Sequence, residues 1–236
     1  MAYRSVLLKL SGEALAEGGR GLSATAIDVI CRQIKEVIAD GARLAIVVGG
    51  GNILRGRDVS ETVRTRATAD QMGMLATMVN GLAVLDGLER NGVEARLMSA
   101  VHAPAICEPW IQRRALRHQE KGRVVILSGG TGNPFFTTDT TAALRASELG
   151  CDVVLKATRV DGVYDSDPEK NPDAVRFERL SYREVLARDL KVMDLTAITM
   201  CMDNKLPIAV FDVFCDGNLG RVVKGESIGT LVSAEG

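Results

Sequence analysis

Short apolar runs recur along the chain, each closed by glycine or a polar turn: Ser5 to Leu10, Arg43 to Val48, Val93 to Met98, Arg123 to Leu127, Asp152 to Leu155 and Ile208 to Val213. Runs that are apolar at consecutive positions suit strands buried on both faces, and such strands belong to parallel sheets covered by helices. Helical periodicity fills the intervals. From Ser23, a suitable N-cap, Ile27, Ile30, Cys31, Ile34, Val37 and Ile38 recur at the spacing of one helix face up to a stop at Gly41. Met72, Leu75, Ala76, Val79, Leu82 and Ala83 form a second stripe, ending near Gly92. Strands alternating with helices imply β-α-β units and an α/β fold, a three-layer α/β/α sandwich around a mainly parallel sheet. With 236 residues the chain is long enough for one compact core, so a single domain over residues 1–236 is expected. The stretch Asp165 to Asp173, with Pro168 and Pro172, reads as a surface loop.

Composition removes several classes of function. Lys plus Arg number 29 against 30 Asp plus Glu, so no overall field exists to hold nucleic acid or an anionic membrane, and any phosphate site must be local. No run approaches the roughly 18 apolar residues of a membrane span, and Met1 to Lys9 is charged too soon for a signal peptide, which points to the cytoplasm. The five cysteines form no C-x-x-C pair, and the two histidines lie at no metal-ligand spacing. With 4% aromatic residues, a stacking platform for single strands is also disfavoured.

In open parallel sheets ligands collect at the carboxyl ends of the strands, so the strand-exit loops are where chemistry should sit. Lys9-Leu10-Ser11-Gly12-Glu13-Ala14 follows the first run; Gly12 allows close approach of an anion and Lys9 can project an ammonium onto it. Alone, this is an ordinary strand-to-helix turn with a solvated lysine. Gly49-Gly50-Gly51-Asn52 closes the second run with Arg55 behind it, an arrangement that opens main-chain N–H groups to phosphate. The dinucleotide fingerprint fails there, because its third glycine would fall on Leu54. The richest segment, Ser128 to Asp139, combines glycines, hydroxyls, an amide and two phenylalanines with a helix start near Asp139. Phe135 and Phe136 suit a pocket wall or plain core packing, and Asp139 suits a helix N-cap that could also orient a lysine. Asp161-Gly162 and Asp167-Pro168 mark a turn-rich connection after Lys156-Ala157-Thr158.

Together the K-L-S-G start, the G-G-G-N turn and the Val160-Asp161-Gly162-Val163-Tyr164-Asp165-Ser166-Asp167-Pro168 loop resemble the amino acid kinase superfamily over nearly the whole chain. Within it, Thr131 to Asp139, Asp70-Gln71-Met72-Gly73-Met74 and Leu190-Lys191-Val192-Met193-Asp194 resemble bacterial UMP kinases. The resemblance implies an amino acid kinase-like fold and transfer of the γ-phosphoryl group of ATP, carried with Mg²⁺, to UMP. It implies that Lys9, Leu10, Ser11, Gly12, Glu13 and Ala14 bind ATP, with Lys9, Ser11 and Gly12 at its phosphates, Gly51 and Arg55 near the transferred group and Thr158, Tyr164 and Asp167 at the adenosine end. Gly50, Asp70 and the run Thr131, Gly132, Asn133, Pro134, Phe135, Phe136, Thr137, Thr138 would hold UMP. Lys9, Arg55, Asp139 and Asp194 would organise the centre. The resemblance also implies a hexamer activated by GTP and inhibited by UTP, with Arg96 and Arg123 as candidates for the effector pocket; Leu85 and Glu89 stand where some relatives are basic.

The chemistry agrees with this inventory. A phosphate acceptor is already anionic at neutral pH, so no base has to remove a proton, and catalysis reduces to aligning two anions and neutralising charge. Two other readings remain open in the sequence: a relative that phosphorylates a carboxylate or carbamate, and a non-catalytic nucleotide-binding or storage subunit.

Overall fold

The computed structural model describes residues 2–54, 63–168 and 170–236. Its main sheet has nine strands in the order β4-β3-β5-β2-β1-β6-β10-β11-β9. The strands at its centre are β1 (Ser5–Leu10), β2 (Arg43–Val48), β5 (Val124–Ser128), β6 (Val153–Thr158) and β10 (Ile208–Asp212), all parallel. On one side lie β3 (Ala95–Ser99) and β4 (Glu108–Pro109); on the other β11 (Thr230–Ser233), antiparallel to β10, and β9 (Arg179–Ser181). A separate antiparallel pair, β7 (Val163–Tyr164) with β8 (Arg176–Phe177), brackets the proline-containing loop. The long apolar runs appear as strands within a few residues of their expected ends. The two-residue strands carry too little pattern to be read from sequence.

Alternate side chains of the central strands feed two cores. Val6, Leu8, Leu10, Leu44, Ile46 and Val48 pack with Ile27, Ile30 and Ile34 of α1 (Ala24–Ala39), with Met78, Val84 and Leu88 of α2 (Arg66–Arg90), and with a late helix. On the opposite face Leu7, Ala45, Val47, Val125 and Val154 pack with Ala115 of α3 (Gln112–Glu120), Ala142, Ala143 and Ala146 of α4 (Thr138–Leu149), Tyr182 of α5 (Tyr182–Ala187) and Ile198 of α6 (Leu195–Asp203). The late helix, α7 (Asn218–Val223), contributes Leu219, Val222 and Val223 to the first core. Burial on both faces is why these strands read as continuous apolar runs.

α1 forms as its periodicity requires: the Ser23 hydroxyl accepts from Ala26 N–H, and Gly41 leaves the helix at φ 90°. α2 departs from expectation. It begins at Arg66, ahead of Met72, because the Thr65 hydroxyl accepts from Thr68 N–H and caps it there. The stripe Met72, Leu75, Val79 and Leu82 points outward, with Leu75 55% exposed. The buried face carries Ala76, Gly81 and Gly87, and side chains on the glycines would collide with Leu97 and Ile27 respectively. The helix carries bulky apolar residues on both sides: Met78, Val84 and Leu88 enter the core, where the small residues allow close approach, and the Met72–Leu82 stripe is left outside.

Candidate active site

All the central strands run one way, so the exits of β1, β2, β5 and β6 open on the same edge. Lys9 and Lys156 are register partners in the ladder between β1 and β6, and their side chains leave the same face. Both reach Asp139 in the first turn of α4: Lys9 Nζ lies 2.7 Å from Oδ1 and Lys156 Nζ 3.1 Å from Oδ2. Lys156 also donates to the Val192 carbonyl. Lys9 is only 7% exposed, so the solvated strand-end lysine that the sequence allows is replaced by a buried, paired ammonium.

Burial by itself would raise the Asp139 carboxyl, but Lys9 and Lys156 together overcome it and hold the group below the usual carboxylate range. For Lys156, burial pulls the ammonium below the ordinary lysine value; Asp139 opposes that pull and the nearby charge of Lys9 adds to it. The cluster therefore concentrates two cations around one anion, with the Asp194 carboxylate acting on Lys156 from the start of α6.

Asp139 is not the cap of α4. Thr137 takes that place, its hydroxyl accepting from the N–H groups of Asp139 and Thr140, which frees the Asp139 carboxylate for the lysines. Asp194 caps α6 by accepting from Ala197 N–H at 2.9 Å. It also accepts from the hydroxyls of Thr140, at 2.9 and 3.0 Å, and Thr137. Asp194 thus couples α6 to the start of α4.

The glycine loops are built by mutual contact. A Cβ on Gly12 would lie 2.7 Å from Gly51 N and 2.4 Å from Asn52 Oδ1, and one on Gly49 would lie 2.8 Å from Gly12 N. Gly50 abuts α2, with Gly73 O 2.9 Å from its notional Cβ, whereas a Cβ on Gly51 would meet nothing within 4 Å among the described residues. Asn52 and Asn80 exchange side-chain amide hydrogen bonds, and Asn80 also donates to Gly49 O, pinning this turn to α2. Arg55, assigned to the centre from sequence, lies outside the described residues.

A cavity of about 360 Å³ lies on one side of this cluster, lined by Gly50, Gly51, Asp70, Phe136, Thr137 and Thr138 together with Leu54, Ala69, Gly73, Met74, Thr77 and Gly130. Of the second set, Gly130 belongs to the glycine-rich Ser128–Asp139 segment and Gly73 and Met74 to a family-like one, whereas Thr77 gives no signal in sequence although its hydroxyl accepts from Gly129 N–H. Thr131, Gly132, Asn133, Pro134 and Phe135 are not in that wall; the Thr131 hydroxyl instead accepts from Asn133 N–H and closes a local turn. Phe135 and Phe136 are 59% and 50% exposed, which rules out core packing for either.

A second cavity, about 420 Å³, opens on the other side of the cluster, lined by Lys156, Thr158, Tyr164 and Asp167 with Val160, Gly162, Leu190, Val192 and Val210. The expected donor-end residues Thr158, Tyr164 and Asp167 are thus together, and Leu190 and Val192 supply apolar wall. Lys156 is not among the site residues expected from sequence, where it stands only as one charge in an apolar strand; the β1–β6 register brings it to the site. The Leu10 and Ala14 side chains lie in the hydrophobic core, so they can meet a ligand only through the main chain. The Ser11 hydroxyl accepts from Ala14 N–H and caps the short 3-10 turn Gly12–Leu15, and Glu13 is exposed.

Of the effector candidates, Arg96 lines a shallow cavity with Leu85 and Glu89. Arg123 is absent from its wall and pairs with Glu94 at 2.9 Å. Among the described residues, no group of three or more His, Cys, Asp and Glu is placed to hold a metal ion, and no helix is long and apolar enough to cross a membrane.

Residues 4–212 match the model of the amino acid kinase family. The chain belongs to that family. Among solved structures, this amino acid kinase is similar to the UMP kinase from Bacillus anthracis, at 37% identity and TM-score 0.96 over 100% of this chain and 98% of that one. It is similar to the UMP kinase from Ureaplasma parvum at 34% identity and TM-score 0.91, over 99% and 100% of the two chains. The uridylate kinase from Archaeoglobus fulgidus aligns at 28% identity and TM-score 0.75, over 97% and 99%. The family likeness therefore spans both cavities and the lysine cluster between them.

Proposed function

We infer that this amino acid kinase transfers the γ-phosphoryl group of ATP to UMP, giving ADP and UDP. The observation that carries the reading is the Lys9–Asp139–Lys156 cluster seated between two cavities, in a fold matched end to end by UMP kinases. The cavity beside Thr158 and Tyr164 takes ATP, and the cavity beside Asp70 and Phe136 takes UMP.

An oxygen of the UMP phosphate attacks the γ-phosphorus, and the bond to the β–γ bridging oxygen breaks, its electrons leaving with ADP. The nucleophile is already ionised, so none of the carboxylates acts as a base. Lys9 and Lys156 neutralise charge on the transferred group, and Asp139 keeps two like-charged ammonium groups close enough to act together. Asp194 holds the Thr137–Thr140 turn from which Asp139 projects. Arg55 completes the charge on the transferred group.

Mg²⁺ enters as part of the substrate MgATP. The described donors do not make a protein-held site, since Asp139 is spent on two lysines and Asp194 on hydroxyls and a cap; this fits an ion that binds mainly through phosphates and its own waters. The exposed face of α2 packs against a second copy of the chain, within a hexamer in the cytoplasm. GTP activation and UTP inhibition belong to the same reading, with Arg96 at the GTP pocket. A coupled assay of ADP release with UMP, CMP, acetylglutamate or carbamate as acceptor tests the function. Turnover with UMP alone is expected, and preference for either of the last two overturns the acceptor assignment.

A further inference from the structure

Arg159 stands at the exit of β6, in a position that neither the sequence motifs nor the lysine cluster uses. Its Nη2 donates to two main-chain carbonyls of a different strand exit, Glu13 O at 3.1 Å and Ala16 O at 2.7 Å. Its guanidinium lies over the ring of Phe214, 4.9 Å from the centroid, and Phe214 follows β10. One side chain therefore joins the exits of β1, β6 and β10.

The receiving end is a short turn. Around the 3-10 turn Gly12–Leu15, Ala14 N–H and Ala16 N–H donate to Ser11 O and Glu13 O and Ser23 N–H donates to Leu15 O, and Arg159 adds a second donor to Glu13 O and a donor to Ala16 O beyond the turn. The turn carries Ser11 and Gly12, the residues read as facing donor phosphates. Thr158 and Tyr164, on either side of Arg159 in sequence, line the donor cavity. A planar guanidinium can donate to carbonyls and stack on a ring at once, which a lysine ammonium cannot match.

We propose that Arg159 is a positioning residue for the donor nucleotide: it fixes the Ser11–Leu15 phosphate turn against the adenosine-side loop, bonding to both loops' scaffolds and to no ligand. The proposal rests on the assignment of ATP to the cavity beside Tyr164. Loss of the tether leaves the phosphate end and the adenosine end free to shift relative to each other, so donor affinity falls, while the acceptor cavity, walled mainly by α2 and the Thr137 turn, is reached only indirectly through the contact of Gly12 with the Gly49–Gly51 turn.

Titration calorimetry with a non-hydrolysable ATP analogue, alongside KM values for ATP and UMP, tests this. Arg159→Ala is expected to weaken the analogue about tenfold, the scale of one charged hydrogen bond, while KM for UMP stays within about twofold. Arg159→Lys, which still donates but stacks less well, falls between that variant and the parent. Phe214→Leu removes only the stacking face and provides the reading should Arg159→Ala not fold; it weakens the analogue in the same direction by a smaller factor. Unchanged analogue affinity in Arg159→Ala overturns the proposal. So does a parallel rise in both KM values, which marks general destabilisation, and so does parental affinity in Phe214→Leu beside a weakened Arg159→Ala, which marks direct contact of Arg159 with nucleotide. A parent chain that binds the analogue but does not turn over UMP sinks the acceptor reading and leaves the tether standing.

Discussion

The main-chain N–H of Phe135 donates to Asp70 Oδ2 at 2.7 Å, joining the loop above the acceptor cavity to the first turns of α2. Phe135 adopts φ 73°, a region that costs a side-chain-bearing residue about 1–2 kcal/mol, so the conformation persists only while something holds it. Asp70 is that anchor, aided by Arg66, whose guanidinium lies 5.3 Å from the Phe135 ring and 3.6 Å from the Asp70 carboxylate.

On the proposed reading Asp70 has two tasks, binding the acceptor and anchoring Phe135, and two substitutions separate them. Asp70→Asn keeps an acceptor for Phe135 but exchanges a charged acceptor for a neutral one with an unwanted donor. It is expected to raise KM for UMP about tenfold or more, with KM for ATP little changed, since hydrogen bonds to a charged group contribute about 1.5–3 kcal/mol. Asp70→Ala, which also releases Phe135, raises it further. Steady-state kinetics with each substrate varied decides this; equal shifts in both KM values remove Asp70 from the acceptor site.

Lys156 should set the alkaline limb of the rate profile. Burial holds its ammonium below the ordinary lysine value, so the charge proposed to steady the transferred group is lost as pH rises through that lowered value. Arg does not deprotonate in this range, and Lys156→Arg is expected to move the limb upward while retaining part of the activity. Lys156→Ala lowers kcat by about a hundredfold or more. Folding stability runs the other way: between the folded and unfolded values the unfolded chain binds more protons, so this group's contribution rises with pH. An alkaline limb unmoved in Lys156→Arg assigns the titration elsewhere.

Removing the charge of Asp139 leaves two buried ammonium groups facing each other. Asp139→Asn is expected to cost about 3–5 kcal/mol of stability, the scale of breaking a buried pair by deleting one partner, along with most activity. The folded-state carboxyl lies below its free value of about 3.9, so its contribution is complete above that pH and lost as pH falls through the folded value. Melting curves across acid pH should show a shallower acid loss in the variant. Parental stability with lost activity would confine Asp139 to the chemical step.

The outward stripe of α2 makes a claim about assembly. Met72, Leu75, Val79 and Leu82 form a contiguous exposed apolar face, larger than isolated surface residues need. A charge at its centre, Leu75→Glu, is expected to convert an oligomer into smaller species in light scattering at micromolar concentration. A monomeric parent chain refutes the interface.

Sequence alone determined the layers of this protein, because strands buried on both faces are apolar on both alternating sets of positions and α1 must repeat its apolar residues at helical spacing. It also located the strand-exit loops, since glycines, turn residues and family-like motifs occur there in order. What it could not decide was which groups meet. Lys156 reads as one charge inside an apolar strand until the parallel register sets it beside Lys9, and Asp139 reads as a cap until Thr137 is seen to take that role. Which apolar stripe of α2 faces the core was hidden for the same reason: Met78, Val84 and Leu88 compete in sequence with Met72, Leu75, Val79 and Leu82, and only the close packing of the helix on β3 and α1, through Gly81 and Gly87, decides between them. Local pattern is a property of consecutive residues, whereas the lysine pair, the Phe135 anchor and the Arg159 tether depend on distances between residues far apart in the chain, which the tertiary fold sets.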